Sequence, residues 1–294
     1  MPARHLVPHD RYYSVLAKRN PITTMMTSRG CPMKCIYCDR PHLGKKFRYR
    51  SAESVIKEIQ ICSDMGIGEI FMYDDTFSIR KDRVLDICRA IIENKIDVSW
   101  DIRAHINTID EEVLDALAEA GCSRIHYGVE SGNQDILKLI KKGIKLDRTR
   151  EVFQMTRDHG ISTLGYFMIG FPDETPEQIE DTLRFACSIA ADFVHIAITT
   201  PFPSTELYRW GLNNGFYDHD FWQKFAQDPQ PGFVPRVWDQ ILSREELIEI
   251  MRSGYKRFYM RPGYLIKRML AVGSFEEFYR KAKAGIRLLR WKKM

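Results

Sequence analysis

The feature that most constrains the fold is a regular alternation of β-prone and helical segments between residues 22 and 199. The β-prone segments are short and apolar, and the segments between them place apolar side chains at helical spacing. This alternation favours parallel strands with right-handed crossovers, and six units form an open barrel rather than a closed eightfold one. We therefore predict an α/β fold, a partial (β/α)6 barrel with parallel strands. The predicted strands span residues 22–27, 69–73, 98–103, 124–129, 163–171 and 193–199.

The composition of the sequence changes after residue 200, where aromatic residues and proline become frequent. Ser243, with Glu246 three residues later, has the spacing of a capping box and predicts a helix through Tyr259. A last helix is predicted to begin near Ser274. We divide the chain into a linker-like segment (1–20), the partial barrel (21–200) and a mostly helical C-terminal extension (201–294).

Composition and charge exclude several classes of protein. Apolar residues make up 44% and charged residues 28% of the 294 residues, which excludes disordered, collagen-like and polytopic membrane chains. The sequence has no long apolar run and no apolar leader at its start, so a cytoplasmic protein is expected. The last fifteen residues hold seven Lys or Arg and no acid, so the remaining 279 residues sum to −2. A general nucleic-acid-binding surface is therefore not expected.

Three of the seven cysteines lie close together in the loop after the first predicted strand. Cys31, Cys35 and Cys38 form a CxxxCxxC motif. A zinc site usually takes four ligands in two pairs, and the sequence offers no second pair at suitable spacing. Three close cysteines suit a [4Fe–4S] cluster, which leaves one iron open to a small molecule. The other cysteines fall at apolar positions and are predicted to be small core residues: Cys62, Cys88, Cys122 and Cys187.

A CxxxCxxC motif after the first strand of a βα-repeating chain resembles the radical S-adenosylmethionine (radical SAM) enzymes, over residues 20–200. The resemblance implies that Cys31, Cys35 and Cys38 each ligate one iron of a [4Fe–4S] cluster. It also implies that the fourth iron takes the amino and carboxylate groups of S-adenosylmethionine (AdoMet). One electron from the reduced cluster then cleaves the sulfonium and gives a 5′-deoxyadenosyl radical. The cofactors carry this chemistry, and the protein supplies binding and orientation.

The same resemblance implies AdoMet-binding residues near the ends of the first three strands. Tyr37 matches an aromatic residue that packs near adenine, with a plain packing role as the alternative. Asp74, Asp75 and Thr76 match polar groups that bind the AdoMet amino group, because acidic side chains suit an ammonium donor. Their alternative role is to cap a turn or helix. Arg103 could meet the AdoMet carboxylate or a substrate anion, or form a structural ion pair.

Two later strand ends complete the AdoMet site that the resemblance implies. Glu130, followed by Ser131, matches a polar position that meets the ribose hydroxyls, with a turn acid as the alternative. The backbone around Ile169 and Gly170 matches the adenine-side segment. Asp173 stands where the family usually has Gly, and Asp adopts a positive φ less readily than Gly.

Five short segments together are similar to the cobalamin-binding branch of radical SAM enzymes: TSRGCP, YDDTF, GVESG, MIGFPDET and TPFPSTELY. That branch includes methyltransferases, ring-forming enzymes and the anaerobic cyclase of chlorophyll synthesis, and many members carry a cobalamin domain before the barrel. Residues 1–21 are too few for such a domain, so we expect it to be absent. Three explanations remain open: a cobalamin domain on a partner chain, a shortened sequence, or cobalamin-free chemistry. Ser204 also departs from the family form, which has Gly.

Two basic regions bear on partners. Lys45, Lys46, Arg48 and Arg50 follow the cysteines and suit an anionic substrate or an electron donor such as flavodoxin or ferredoxin, with a solvated loop as the alternative. Residues 275–289 place apolar side chains on one helical face and Lys or Arg opposite. Such a helix can lie on an anionic membrane surface, or pack one face on the core. The aromatic C-terminal region suggests a bulky, partly apolar small-molecule substrate.

These observations leave three functional hypotheses. The first is a radical SAM enzyme that performs cobalamin-linked methyl transfer or related C–H functionalisation. The second is a cobalamin-free radical SAM oxidoreductase or rearrangement enzyme, and the third is an iron–sulfur electron-transfer subunit. Hydrolase and NTP-driven functions lack their motifs. His126 and His195 lie on predicted strands and could line the barrel, but the sequence does not mark either as catalytic.

Overall fold

A computed structural model of the chain describes residues 1–39 and 45–270, with side chains to residue 266. Six of its strands form one parallel sheet whose spatial order follows the chain, and the sheet curls into a partial barrel. The predicted fold class is thereby confirmed. The strands in the described residues are β1 (Ile22–Met25), β2 (Ser28–Arg29), β3 (Arg48–Tyr49), β4 (Glu69–Met72), β5 (Ser99–Ala104), β6 (Cys122–Glu130), β7 (Ser162–Ile169) and β8 (Phe193–Ile198). The sheet order is β1-β4-β5-β6-β7-β8, and β2 pairs with β3 in a short antiparallel ladder that the sequence did not predict.

Helices follow the strands and cover the outside of the sheet. Those of the barrel are α1 (Ala52–Asp64), α2 (Lys81–Glu93), α3 (Glu111–Glu119), α4 (Gln134–Leu139), α5 (Leu146–Asp158) and α6 (Pro176–Ser188). Those of the C-terminal extension are α7 (Glu206–Asn213), α8 (Phe221–Gln227), α9 (Arg244–Tyr259) and α10 (Pro262–Leu270).

Several helices begin where a polar side chain accepts hydrogen bonds from otherwise unpaired backbone N–H groups. Asp110 caps α3 and Ser51 caps α1. Thr175 and Ser243 form full capping boxes at the starts of α6 and α9. The capping box at Ser243 and the helix through Tyr259 confirm the sequence prediction.

Side chains alternate between the two faces of the barrel strands. On β6, Ile125, Tyr127 and Val129 are fully buried in the apolar core beneath the helices. The alternate positions of the same strand include His126 and Glu130, which line the interior cavity. The barrel therefore has an apolar outer layer and a polar, ionisable interior, which places chemistry inside it.

The linker-like amino-terminal segment packs against the amino end of the barrel. The Glu69 carboxylate accepts hydrogen bonds from the backbone N–H groups of Lys18 and Arg19, at 2.6 and 3.1 Å. The Arg124 guanidinium donates to the Leu16 carbonyl and lies 3.8 Å from Glu69. This segment therefore covers the end of the barrel that lies away from the carboxyl ends of the strands.

The C-terminal extension packs against the last strand of the sheet. The Tyr255 hydroxyl accepts from the Ile196 N–H and donates to its carbonyl, and Tyr259 does the same at Val194, all within 2.9–3.1 Å. The two hydroxyls bind backbone N–H and carbonyl groups at the exposed edge of β8, which could otherwise pair with a further strand. Helix α9 therefore blocks the addition of another strand at this edge. An aromatic cluster lies beside it, formed by Trp210, Phe216, Tyr217, Phe221 and Trp238.

The helix predicted from near Ser274, with its basic amphipathic pattern, lies outside the described residues. Within residues 1–39 and 45–270, no helix is both long enough and apolar enough to span a bilayer.

Candidate active site

A cavity of about 680 Å³ lies inside the partial barrel, a size that suits a small-molecule ligand. Its lining includes the thiol-bearing loop after β1 and side chains of β5 to β8. In parallel barrels the reacting groups gather at the carboxyl ends of the strands. Of the residues predicted from the sequence, Cys31, Cys35, Tyr37, Cys38, Asp75, Thr76, Arg103 and Glu130 line the cavity, whereas Asp74, Ser131, Ile169 and Gly170 do not.

The cysteine loop is held in place through its backbone at Ile36, which is buried. The Ile36 N–H donates to the Ile140 carbonyl at 3.1 Å, and its carbonyl accepts from the Leu207 N–H at 2.9 Å. The loop is thereby tied to the end of α4 and to the first turn of α7. Burial raises the pKa of the Cys35 thiol, and the positive charge of Lys142 opposes that rise.

Asp74 is engaged within the protein and is absent from the cavity lining, so its AdoMet contact stays a prediction without support from this geometry. Its carboxylate accepts from the backbone N–H and the hydroxyl of both Thr27 and Ser28, at 2.5–2.9 Å, and it is 1% exposed. Arg83 donates to the same Thr27 hydroxyl at 2.5 Å. Asp74 therefore fastens the chain just before the cysteine loop, with its side chain turned away from the cavity.

The next two residues do line the cavity. The Asp75 carboxylate accepts from the Gly30 N–H at 2.8 Å, and the Thr76 hydroxyl lies 3.5 Å from the Cys31 sulfur. The two side chains therefore contact the start of the cysteine loop and remain candidates for binding the AdoMet amino group.

A buried ion pair adjoins Tyr37. The Lys142 ammonium donates to Glu130 at 2.9 Å and to the Tyr37 hydroxyl at 3.4 Å. Burial disfavours the charge on Lys142, but Glu130, Cys35 and Cys38 together outweigh that effect and raise the pKa of the ammonium. Gly128 makes room for the pair, because a Cβ there would lie 2.5 Å from the Glu130 carboxylate and 2.7 Å from the Lys142 nitrogen.

The sequence analysis missed Lys142, which follows α4 in the run Lys141-Lys142-Gly143 and looks like a solvated residue. Nothing local in the sequence signals that it turns inward. Glu130 carries one signal, since its φ is +72° at a register shift of β6, a strained conformation of the kind that clusters at functional sites.

Ser131, Ile169 and Gly170 are not part of the cavity lining, and their contacts with AdoMet stay a prediction. The Ser131 hydroxyl bonds Thr182 at 3.0 Å. Ile169 is fully buried in the core. The Gly170 N–H donates to Glu174 at 2.7 Å, and a Cβ on Gly170 would lie 2.9 Å from Leu247. The C-terminal extension therefore covers the segment that the family resemblance assigned to adenine.

Two residues that replace a glycine of the family sequence still adopt the backbone conformation that glycine favours. Asp173 has φ +55° and Ser204 has φ +68°, both in the left-handed region. Gln240 supports the first of them, because its side chain accepts from the Asp173 N–H at 3.4 Å and donates to its carboxylate at 3.2 Å. The non-glycine residues therefore occupy turns that a positive φ requires.

A second polar group lies deeper in the cavity. The His126 ring joins the Asp101 carboxylate and the Tyr166 hydroxyl, each at 3.1 Å. The rings of Tyr166 and His195 have centroids 5.6 Å apart. Arg103 packs its guanidinium 3.9 Å above the Tyr73 ring and donates to the Met72 carbonyl at 2.9 Å. His126 and His195 therefore both line the barrel, as the sequence allowed.

The basic residues after the cysteines have different environments. Arg50 is engaged by Glu58 at 2.5 Å and by Ser54. Arg48 lies on β3 and is exposed, as are Lys45 and Lys46, and Lys45 also lines the cavity. Three of the four basic residues are thus exposed at the surface beside the cysteine loop.

The cysteine loop fits an iron–sulfur cluster better than a single ion. Within residues 1–39 and 45–270, no group of three or more His, Cys, Asp or Glu side chains could hold one metal ion. In a [4Fe–4S] cluster each cysteine binds a different iron, so the ligands spread around the cluster. Three thiols on one cavity wall, with the Lys142 charge near Cys35 and Cys38 to favour thiolates, suit that arrangement.

Sequence comparison finds relatives over most of the chain. An uncharacterized methyltransferase of Pyrococcus horikoshii is 35% identical over 277 residues, which cover 94% of this chain and 59% of that protein. The anaerobic magnesium-protoporphyrin IX monomethyl ester cyclase of Rubrivivax gelatinosus is 27% identical over 242 residues, which cover 81% of this chain and 42% of that protein. The chain therefore spans about half the length of these relatives.

Structure comparison supports the fold. The radical S-adenosylmethionine methyltransferase TsrM of Kitasatospora setae, solved with cobalamin and a [4Fe–4S] cluster, has a TM-score of 0.60 at 23% identity. The match covers 63% of this chain and 38% of that one. Residues 25–186 match the Radical SAM superfamily, which is more than half of the chain. With the CxxxCxxC loop at the carboxyl end of β1, this match shows that the chain belongs to the radical SAM superfamily.

Proposed function

We propose that this chain is the AdoMet-cleaving part of a cobalamin-linked radical SAM enzyme that methylates, or otherwise functionalises, a C–H bond of a small organic substrate. The observation that carries the proposal is the cavity that Cys31, Cys35 and Cys38 share with candidate AdoMet contacts of β4 to β6 and with a deeper polar group. An electron-transfer subunit has no need of such an interior cavity. This argues against the third hypothesis.

In this proposal the three cysteines hold the cluster and the neighbouring residues bind AdoMet. When bound, a [4Fe–4S] cluster supplies the electron that cleaves AdoMet to a 5′-deoxyadenosyl radical. Asp75 and Thr76 accept hydrogen bonds from the AdoMet amino group. Tyr37, which packs 5.7 Å from the Phe171 ring, offers an aromatic surface to adenine. Lys142 orients the Glu130 carboxylate toward the ribose hydroxyls.

Arg103 has two candidate anions in this site, the AdoMet carboxylate and an anionic group of the substrate. Its guanidinium retains donors beyond the one that it gives to Met72. We favour the substrate, because Arg103 lies beside Tyr166 in the deeper polar group.

The proposal of cobalamin rests on the similar proteins. Two of them are a methyltransferase and a cyclase by name, and the TsrM structure holds cobalamin. A cobalamin domain would then come from another part of a longer protein or from a partner chain. A cobalamin-free oxidoreductase or rearrangement enzyme is the second candidate, because the cysteine loop and the candidate AdoMet contacts would serve either enzyme.

The exposed Lys45, Lys46 and Arg48 beside the cysteine loop suit an acidic electron donor such as flavodoxin or ferredoxin. A reducing compartment such as the cytoplasm suits thiolate ligands. Contact of the C-terminal basic segment with a membrane remains a prediction, because residues 271–294 lie outside the described structure.

The test is anaerobic reconstitution with iron and sulfide, addition of AdoMet and dithionite, and mass spectrometry for 5′-deoxyadenosine. Cys35→Ala should abolish the product. Cys187→Ala is the matched control, since Cys187 lies on α6, outside the cavity lining, and should leave product formation intact. A cluster-loaded protein that yields no deoxyadenosine would contradict the proposal.

A second measurement separates the two enzyme candidates. Cobalamin is added with AdoMet that carries a deuterated methyl group, and methylcobalamin is analysed by mass spectrometry. Label on cobalamin supports methyl transfer, whereas deoxyadenosine without label supports the cobalamin-free enzyme.

A further inference from the structure

The deeper polar group of the cavity is a chain of three side chains on three strands. Asp101 lies on β5, His126 on β6 and Tyr166 on β7. Asp101 and His126 are 1% and 6% exposed, whereas Tyr166 is half-buried and lines the cavity. A carboxylate is thus joined through an imidazole to a hydroxyl that faces ligand space.

The hydrogen bonds fix the direction of this chain. A carboxylate only accepts, so the Nε2 atom of His126 carries the proton shared with Asp101 at 3.1 Å. In a neutral ring Nδ1 is then an acceptor, and the Tyr166 hydroxyl donates to it at 3.1 Å. The Tyr166 oxygen also accepts from Arg103, and its remaining lone pair is left to accept a hydrogen bond from a ligand in the cavity.

The group is separate from the candidate AdoMet contacts. Across the register shift of β6, His126 lies opposite Leu164 and Glu130 opposite Phe167, so His126 lies three residues, or roughly 10 Å, deeper along the sheet. It contacts neither the cysteine loop nor the Lys142–Glu130 pair through any hydrogen bond among the described residues. The space beside it is therefore suited to a substrate.

The network costs stability, which argues that it serves a purpose. Arg124 lies 3.5 Å from Asp101, yet among the described residues one Asp101 carboxylate oxygen and the Nε and Nη1 groups of Arg124 are buried without a hydrogen-bond partner. Buried polar atoms of this kind are unfavourable and concentrate at functional sites.

We propose that Tyr166 and His126 form a proton-accepting site for a weakly acidic hydroxyl of the substrate, such as a phenol or enol, with Asp101 as the positioning residue. The substrate hydroxyl gives its proton to the Tyr166 oxygen as Tyr166 gives its own to His126 Nδ1. The products are a substrate oxyanion, a neutral tyrosine and an imidazolium paired with Asp101. Atoms and charges balance, and no electron is transferred.

The surrounding charges suit an oxyanion at this position. Arg103 lies beside Tyr166 and supplies a positive charge, and His195 on β8 supplies a second ring that can donate. Tyr73 of the segment after β4 completes the titratable groups near Tyr166. The acid nearest to the site, Asp101, lies behind His126 and is held by Arg124.

This inference rests on the proposed function only in taking the cavity as the substrate site, so its test needs neither AdoMet nor turnover. The probe is a fluorophenol added to the reconstituted full chain, and fluorine NMR reads its ionisation as a function of pH. Bound to the native protein, the phenol should ionise at a pH about one unit below that of the free phenol. Tyr166→Phe and His126→Gln should each abolish the shift, and Asp101→Asn should reduce it.

Tyr12→Phe and His159→Gln are matched controls outside the cavity lining and should leave the shift unchanged. Failure of the phenol to bind, an unshifted midpoint, or a shift that survives Tyr166→Phe would each overturn the inference. If Asp101→Asn fails to fold, the Tyr166 and His126 variants still test whether the shift in phenol ionisation depends on this network. Deoxyadenosine formation by the same samples tests the proposed function separately.

Discussion

The Lys142 ammonium lies 2.9 Å from the Glu130 carboxylate, and each side chain is 9% exposed in the wall of the cysteine-lined cavity. Because either charge is costly when buried alone, Lys142→Met should lower the free energy of unfolding by about 3 kcal/mol. Adding Glu130→Gln should restore stability to within about 1 kcal/mol of the native chain. Urea unfolding of the native chain, Lys142→Met and the double variant measures both effects.

Lys141→Met is the matched control for that experiment. Lys141 pairs with Glu206 at the surface, where both side chains are 52% exposed, so its loss should cost less than about 1 kcal/mol. Equal losses for the two lysine variants would show that the buried pair has no special role.

Comparing Asp74→Ala with Asp75→Ala should separate the stabilisation of the chain before the cysteine loop from the binding of AdoMet. Asp74→Ala loses the acceptor of four hydrogen bonds from Thr27 and Ser28, and we expect a loss of about 3 kcal/mol in unfolding free energy. Asp75→Ala, which removes the acceptor for Gly30, should cost about 1 kcal/mol yet weaken AdoMet binding more strongly. Urea unfolding and calorimetric AdoMet titration provide the two readouts, and the reverse ranking in stability would contradict this assignment.

Gly170→Ala should be worse than Gly160→Ala, although both glycines have a positive φ. A methyl group at Gly160 meets no atom within 4 Å, so only the backbone penalty of about 1 kcal/mol applies. At Gly170 the methyl group would also lie 2.9 Å from Leu247, which adds about 2 kcal/mol. Thermal or urea unfolding checks the difference, and Leu247→Ala in the Gly170→Ala background should show less than additive loss.

Glu174 gives the fold a pH dependence. Burial raises the pKa of its carboxyl from 4.5 to about 7, against the hydrogen bonds that it accepts from the Phe171 and Gly170 N–H groups. The folded state therefore binds this proton more tightly than the unfolded state does. The free energy of unfolding should fall as pH rises from about 4.5 to about 7, by up to about 3 kcal/mol, and then level off.

Glu174→Gln should remove that slope when urea unfolding is followed across the same pH range. Glu177 is a control of opposite sign, because it is exposed and hydrogen bonds from its own N–H and from Thr175 lower the pKa of its carboxyl. Identical pH profiles for the native chain and Glu174→Gln would contradict the buried position of Glu174.

The strands and the cysteine loop could be predicted from the sequence because both depend on local patterns. Apolar runs bounded by turn residues located all six sheet strands, and the close spacing of Cys31, Cys35 and Cys38 marked one loop. The short antiparallel pair of β2 and β3 could not be predicted, since two-residue strands leave no periodic pattern.

The sequence could not predict which side chains at a strand end face the ligand. That choice depends on the register of the strand, which composition does not reveal. Asp74 and Asp75 are adjacent acids, yet one fastens the backbone and the other lines the cavity. Lys142 reaches the site from a distant loop, which no local pattern reveals. Arg124, His126 and Glu130 did carry a usable signal, because polar residues at period two on a barrel strand indicate a polar interior.

The strand order of the sheet bears on how the chain folds. Each sheet strand pairs with the sheet strand before it in sequence, so every new pairing closes a loop of one βα unit. Pairing neighbours along the chain keeps each loop shorter than a pairing of distant strands would, and shorter loops cost less entropy to close. The sheet can therefore grow outward from β1 during synthesis, one unit at a time. Its two terminal strands need never meet, so late units can form without reopening earlier ones.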